Sequence, residues 1–184
     1  MKYRYEQRYV NDRLDTLITD DQIKSYYESH KEDFVLLRPL LKVRFVHIMK
    51  DSPDKDFILD VMSSEGMDAA QRADTLSKKV TLRYFDKSQE WMDASDLAKE
   101  FGLDHKSMLA ALKDNTIKVE PQGRSDLMYA HVCDILHSGY APIEYCESVI
   151  REIILSNRKY DLLLTLEQDL LESAQNNLEI ENQQ

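Results

Sequence analysis

The chain has 184 residues, of which 42% are hydrophobic and 32% are charged, and its net charge is −10. This composition is typical of a folded, water-soluble domain with an elaboration, or of two small lobes, rather than of a disordered chain. The acidic balance argues against binding to nucleic acid or to an anionic membrane surface, since both need clustered Lys and Arg. No apolar run approaches the roughly 20 residues of a membrane span.

The N-terminal residues predict two helices. The first follows helical spacing at Tyr5, Tyr9, Arg13 and Leu17. Thr19, with Gln22 three residues later, forms a capping-box pattern that starts the second helix. The opening stretch, MKYRYEQRYV, has no signal-peptide core and interrupts a helical pattern. We therefore expect the chain to lack the N-terminal part of a longer protein.

The stretch KVRFVHIMK, from Lys42 to Lys50, predicts a strand. Apolar residues lie on both of its faces, with Phe45 and His47 on one face and Val46 on the other. A strand that is apolar on both faces is typical of the centre of a sheet. Ser52 and Pro53 then predict a helix start, and Gly66 divides the following segment into two helical pieces.

TLRYFD predicts a short strand, and two short helices follow it. Asp93 and Asp104 are the expected N-caps of these helices, and Gly102 is expected to end the first. Two further strands are predicted on either side of a turn at 121–125. Pro142 then opens a long helix with an apolar stripe at Ile143, Ile150, Ile153, Leu164 and Leu171, which is expected to pack on the first two helices.

Two cysteines occur, Cys133 and Cys146, and they do not lie in a zinc-binding spacing. The sequence leaves open whether they form a disulfide or are reduced thiols. His131, Cys133 and His137 are three metal-ligating side chains close together, but tetrahedral zinc needs a fourth ligand. No metal and no other cofactor are predicted.

The order of these elements resembles that of the SurA-type periplasmic folding factors. ITDDQIKSYYESHKEDF, leading through a proline into LKVRFVHIM, resembles the entry into their parvulin domain, and APIEYCESVIREIILSNRKYDLLLTLEQDLLESAQNN resembles their closing helix. The family comprises peptidyl-prolyl cis-trans isomerases and chaperones for outer-membrane proteins. The resemblance implies an α+β fold in which a degenerate parvulin-like domain is inserted between N-terminal helices and a long C-terminal helix that pack together.

The same resemblance makes His47 and His131 the candidates for the two active-site histidines of a parvulin domain. However, the family's glycine-rich stretches are missing, since SQEWMDASDL contains Trp91 but no glycine. Prolyl isomerisation has a barrier of about 20 kcal/mol and needs a pocket that holds the ring while the amide twists. We therefore expect an inactive isomerase domain, with His47 a structural residue among apolar neighbours.

The implied domains are a helical arm at 1–38, a parvulin-like block at 39–140, and a returning helix at 141–184 with a short disordered tail. The implied function is that of an envelope protein-folding factor, periplasmic or envelope-anchored, that binds unfolded or nascent polypeptide. The alternatives are an active parvulin-type isomerase and a structural subunit of an envelope complex. The client and the oligomeric state remain open. The candidate peptide-binding residues are Tyr5, Tyr9, Tyr26, Tyr27, Trp91, Phe101, Met108 and Met128.

Overall fold

The fold was analysed in a computed structural model, whose described backbone comprises 2–77 and 81–181 and whose described side chains comprise 4–76 and 81–175. The chain divides into two units. The helical unit contains both chain ends, Met1–Lys31 and Cys146–Gln184, and the sheet unit is Glu32–Tyr145. The end of the predicted disordered tail, 182–184, lies outside the described residues.

Helices and strands alternate irregularly along the chain. A short 3₁₀ turn, Lys31–Phe34, precedes the sheet. The elements are α1 Lys2–Arg13, α2 Asp20–Ser29, β1 Leu40–Met49, α3 Lys55–Ser63, α4 Ala69–Ser77, β2 Arg83–Asp93, α5 Ala94–Glu100, α6 His105–Ala110, β3 Thr116–Val119, β4 Asp126–Leu136 and α7 Ile143–Glu181. The predicted α+β class is therefore confirmed, and the strands follow the N-terminal helices and precede the long C-terminal helix in chain order. Among the described residues, no helix is long and apolar enough to cross a membrane.

The start of α2 matches its sequence pattern. The Thr19 hydroxyl accepts from the backbone N–H of Gln22, and the Gln22 side chain accepts from the backbone N–H of Thr19, so the predicted capping box is confirmed. The first helix is shorter than predicted and ends at Arg13. Beyond it, the Asp15 carboxylate accepts from the backbone N–H of Leu17, a local turn that competes with helix continuation.

The four strands form one antiparallel sheet in the order β2-β1-β4-β3. β1 pairs on both sides, as its two apolar faces predicted. β2 is longer than the predicted TLRYFD strand and runs to Asp93. Its register against β1 shifts between Leu41 and Val43. At this point several residues of β2 lie opposite a single residue of β1 and form a bulge.

Each face of the sheet is covered by its own helices. Val43 and Phe45 pack with α5 and α6 on one face, which we call the α5/α6 face. Val46 and Ile48 pack with α3 and residues of α4 on the other, which we call the α3/α4 face. Because side chains alternate along a strand, every strand residue is assigned to a face by its position and its cross-strand partner.

Local start and stop signals are mostly confirmed in the sheet unit. The Asp93 and Asp104 carboxylates cap α5 and α6, and Gly102 follows α5 with a φ of 68°, a left-handed conformation that glycine adopts without strain. The predicted cap at Ser52 is wrong. α3 instead begins at Lys55 after Asp54, without a side-chain cap hydrogen bond.

α7 has 39 residues and is about 58 Å long at 1.5 Å per residue. Its predicted apolar stripe is buried at Ile150 and exposed at Leu164 and Leu171. The stripe is therefore only partly core, because α1 and α2, with 12 and 10 residues, are too short to cover a helix of this length. Cys146 is buried on α7, Cys133 is exposed on β4, and neither forms a disulfide in the structure.

Candidate functional site

The helical unit contains an apolar groove between α1 and the second half of α7. Its cavity volume is about 510 Å³, and its lining residues are Tyr5, Glu6, Leu163, Leu166, Glu167, Leu170 and Leu171. Leu166 forms the buried floor, whereas Tyr5, Leu170 and Leu171 are 56%, 49% and 65% exposed. We call this the α1/α7 groove.

Helical periodicity explains why these leucines line one groove. Leu163, Leu166 and Leu170 are spaced by three and four residues, so they lie on one face of α7. The α7 wall is also acidic, since 160–175 contains four Asp or Glu residues and no Lys or Arg. The groove therefore combines large apolar side chains with negative charge from Glu6 and Glu167.

Two arginines of α7 hold the linker between α1 and α2. Arg158 Nη1 donates to the backbone carbonyl oxygens of Asp15 and Leu17, each at 2.7 Å. Arg151 Nη1 donates to the carbonyl oxygen of Ile18 at 3.0 Å. Arg151 and Arg158 are seven residues apart and thus lie on one face of α7. Together they hold the linker that connects α1 to α2.

The four candidate tyrosines have different environments. Tyr5 lines the α1/α7 groove. The Arg13 guanidinium lies 4.1 Å from the ring centroid of Tyr9, a cation–π contact. Tyr26 stacks on His30 with ring centroids 4.0 Å apart, and Tyr27 is buried. Of the four candidate tyrosines, Tyr5 therefore lines the groove, and the other three do not.

His47 contacts an acidic group rather than the apolar neighbours expected from the sequence. Its Nε2 lies 2.5 Å from Oδ2 of Asp126, and Arg124 donates to the same oxygen at 2.6 Å. The hydrogen bond from His47 is the main cause that lowers the pKa of Asp126; burial opposes it, and the Arg124 charge lowers it further. The expectation of apolar surroundings is wrong because β4 brings Asp126 beside the end of β1.

His47 and His131 are not brought together. His47 pairs across the strands with Met128, which belongs to the α5/α6 face. His131 pairs with Arg44, and its position alternates with Ala130 and Val132 of that face, so it lies on the α3/α4 face. A pocket shared by the two histidines is therefore excluded by strand alternation, whatever role each has alone.

The remaining candidates in the sheet unit separate into core and surface. Phe101, Met108 and Met128 are all buried in the α5/α6 core, and Phe101 contacts Phe45 edge to face with centroids 5.5 Å apart. Trp91 is half-buried beside a cavity of about 450 Å³, and the Lys42 ammonium lies 4.8 Å from its ring centroid. The three core residues pack the sheet and do not form an open pocket.

Sequence reasoning missed the leucines that form the groove. The predicted stripe includes Leu171 but places it in the core, because apolar stripes of helices usually are buried, and it does not include Leu163, Leu166 or Leu170. The length of α7 relative to α1 and α2 was the available signal, since a helix that is longer than the helices packed on it exposes the apolar residues at its end. Asp126 and Arg124 were also missed, because their contact with His47 depends on strand register.

Comparison with solved structures finds a distant similarity to a chain described with PEB4 and Cj1289, two structurally related SurA-like chaperones of Campylobacter jejuni. The identity is 17%, the similarity covers 93% of this chain and 67% of that one, and the TM-score is 0.33. No family model matches the sequence, and no curated protein matches it.

Proposed function

We propose that this protein is a SurA-like folding factor of the bacterial envelope that binds non-native polypeptide in the α1/α7 groove. The observation that carries the proposal is the groove itself, in which Leu170, Leu171 and Tyr5 are exposed on a chain that is otherwise strongly charged. Exposed apolar patches of this kind are typical of interaction sites. The sequence resemblance supports the class of partner and the envelope location.

The groove chemistry favours segments that are both apolar and basic. A leucine or phenylalanine side chain contributes about 1.5–3 kcal/mol when it is fully buried, and association costs several kcal/mol of lost freedom. One or two such side chains are therefore held weakly and reversibly. Glu167 adds attraction for Lys or Arg in the same segment, and salt shortens the range of this attraction.

The proposal treats the sheet unit as inactive in prolyl isomerisation. Its support is that His47 and His131 lie on opposite faces of the sheet, and that Phe101 and Met108 fill the α5/α6 core. Uncatalysed prolyl exchange takes tens of seconds, so NMR exchange spectroscopy on a proline peptide gives a clear baseline. A rate above that baseline, lost in His47→Asn, would establish the active-isomerase alternative instead.

Aggregation suppression tests the proposed function directly. Reduced lysozyme, a basic client, is diluted from denaturant and its light scattering is followed with and without the protein. The double variant Leu170→Gln and Leu171→Gln should lose most of the suppression. The matched control is Leu37→Gln, which changes a leucine that is 91% exposed in the sheet unit and should leave suppression unchanged.

Two results would contradict the proposal. One is full suppression by the groove variant at equal concentration and equal fold content. The other is equal affinity for reduced lysozyme and for an acidic unfolded chain, reduced carboxymethylated α-lactalbumin, at low salt. A protein that neither suppresses aggregation nor isomerises proline would instead favour the structural-subunit alternative.

A further inference from the structure

A cluster of charged side chains lies on the α3/α4 face of the sheet, in the sheet unit. Arg44 on β1 is the centre of this cluster, since it pairs across the strands with Asp86 on β2 and with His131 on β4. Arg72 of α4 lies over the same face and contacts Asp86. Both guanidinium groups are deeply buried, with Arg44 only 7% and Arg72 only 2% exposed.

Arg72 has a complete set of partners. Its Nε donates to Oδ2 of Asp86 at 2.7 Å, and its other nitrogens donate to the Met67 carbonyl oxygen and to the Ser88 hydroxyl. Oδ1 of Asp86 accepts from the backbone N–H of Ser88 at 2.9 Å. Burial opposes ionisation of Asp86, but the bonds from Ser88 and Arg72 outweigh it and lower its pKa. One buried cation is thus neutralised by one buried anion.

Arg44 has no such counter-charge. Its Nη1 donates to the carbonyl oxygens of Met62 and Ser64, and its Nε is buried without a hydrogen-bond partner. Among the described residues no carboxylate forms an ion pair with it, because the cross-strand acid Asp86 is occupied by Arg72. A buried guanidinium cannot lose its proton to escape this cost, so it favours an anion from outside the chain.

The neighbouring titratable groups do not balance Arg44. Burial, followed by the Arg44 charge, lowers the pKa of His131, which favours the neutral imidazole. Burial raises the pKa of the Tyr84 phenol, which favours its neutral form. The two arginines and Asp86 therefore leave the buried cluster with one net positive charge.

An open cavity of about 550 Å³ lies beside both arginines. The loop between α3 and α4 and the first residues of α4, 65–70, form its rim, which contains two acids, Glu65 and Asp68. Asp68 precedes α4, and its carboxylate accepts from the backbone N–H of Gln71 in the first turn of that helix at 2.7 Å. Glu65 is exposed and pairs with neither arginine, so it is a competing charge at the entrance rather than a counter-ion in the cluster.

We propose that this cavity binds a small oxyanion, with Arg44 as its principal ligand and Arg72 beside it. The chemistry fits phosphate, sulfate or a carboxylate, since a guanidinium presents parallel N–H donors to two oxygens of such groups. The oxyanion is either a free inorganic ion or the terminal carboxylate of a polypeptide. The site is independent of the α1/α7 groove.

The experiment is a titration of the His131 imidazole resonance by NMR, because this ring lies next to Arg44. Potassium phosphate, and separately a short peptide with a free or an amidated C-terminus, is added at constant ionic strength set by potassium chloride. We expect a saturable shift with phosphate or with the free-acid peptide, and none with the amide. Phosphate alone identifies a free-ion site, and the free-acid peptide alone identifies a carboxylate terminus.

Variants of Arg44 and of Glu65 make the test decisive. Arg44→Gln should weaken binding at least tenfold, whereas Glu65→Gln removes the competing charge and should tighten it severalfold. The controls are Arg83→Gln, an exposed arginine paired with Glu100, and Asp60→Asn on exposed α3 surface, and both should bind as the wild type does. A shift that does not saturate, or that Glu65→Gln leaves unchanged, overturns the proposal even if Arg44→Gln fails to fold.

Discussion

At the scale of single residues, Asp93 combines two stabilising roles. Its carboxylate caps α5 by accepting from the backbone N–H of Ser95 at 2.7 Å. It also accepts from Nε of Arg38, at 3.1 Å on Oδ1 and 2.9 Å on Oδ2, and Nη2 of the same guanidinium lies 2.9 Å from Oδ2 in an ion pair. Burial disfavours its charge, but the bonds from Arg38 and Ser95 outweigh that cost and lower its pKa to about 2. The folded state therefore binds a proton at Asp93 more weakly than the unfolded chain does.

Asp93→Asn should reduce stability in a pH-dependent way. An acid whose pKa is depressed by folding stabilises the fold above its unfolded pKa, near 4, and loses that contribution as the pH falls through its folded value. The amide still caps the helix but lacks the charge that pairs with Arg38. Urea unfolding of wild type and variant should thus differ at pH 6 and converge near pH 2. An equal difference at both pH values would contradict the assignment.

Thr19→Ala should destabilise the protein by about 1 kcal/mol, because it removes the cap of α2. The backbone N–H of Gln22 then loses its acceptor, whereas the bond from the backbone N–H of residue 19 to the Gln22 side chain is retained. Thermal unfolding measures the effect, with Ser25→Ala on the exposed surface of α2 as the matched control, for which we expect a change within about 0.5 kcal/mol. Equal melting temperatures for the two variants would mean that the capping box contributes nothing.

Sequence pattern predicted the residue-level features that are local. The Thr19 capping box and the Asp104 cap each depend on residues at most three positions apart, so their spacing is visible in the sequence. The contact of His47 with Asp126 spans 79 positions and exists only because β1 and β4 pair in one particular register. A single sequence contains no signal for that register.

At the scale of elements, α7 is the main organiser of the helical unit. Its arginines bind the carbonyl groups of a linker that would otherwise lack backbone partners, which is the usual requirement for ordered irregular backbone. Its leucines form one wall of the α1/α7 groove. The helix start at Pro142 was predictable, but the role of its arginines was not, since they bind backbone rather than a sequence-specific partner.

Arg158→Ala should release the linker between α1 and α2. The loss of charged hydrogen bonds to the carbonyls of Asp15 and Leu17 should lower the free energy of unfolding by about 2 kcal/mol. Lys159→Ala is the control, because it removes a neighbouring cation that is exposed on α7. The two variants are compared by their midpoints of urea unfolding. Equal midpoints for Arg158→Ala and Lys159→Ala would mean that the linker does not depend on the hydrogen bonds from Arg158.

At the scale of the whole molecule, the two units differ in what their surfaces offer. In the sheet unit the candidate apolar residues Phe101, Met108 and Met128 are used for packing on the α5/α6 face. In the helical unit, Leu170 and Leu171 of α7 are exposed beside the buried Leu166. The central position of β1 was predictable from periodicity, and the α+β class was implied by the resemblance. The division of candidates between core and surface required the helix lengths and the sheet register.

Site-specific photo-crosslinking tests the central claim, that non-native polypeptide binds in the α1/α7 groove. A benzoylphenylalanine is placed at position 170 in the groove or at position 37 on the sheet unit, and each protein is irradiated with reduced lysozyme and with native lysozyme. Binding in the groove predicts a crosslink from position 170 to the reduced client, weakened by salt, and little from position 37 or to the native protein. Equal crosslinking from both positions, or none from position 170 while aggregation is still suppressed, would contradict the assignment of the groove.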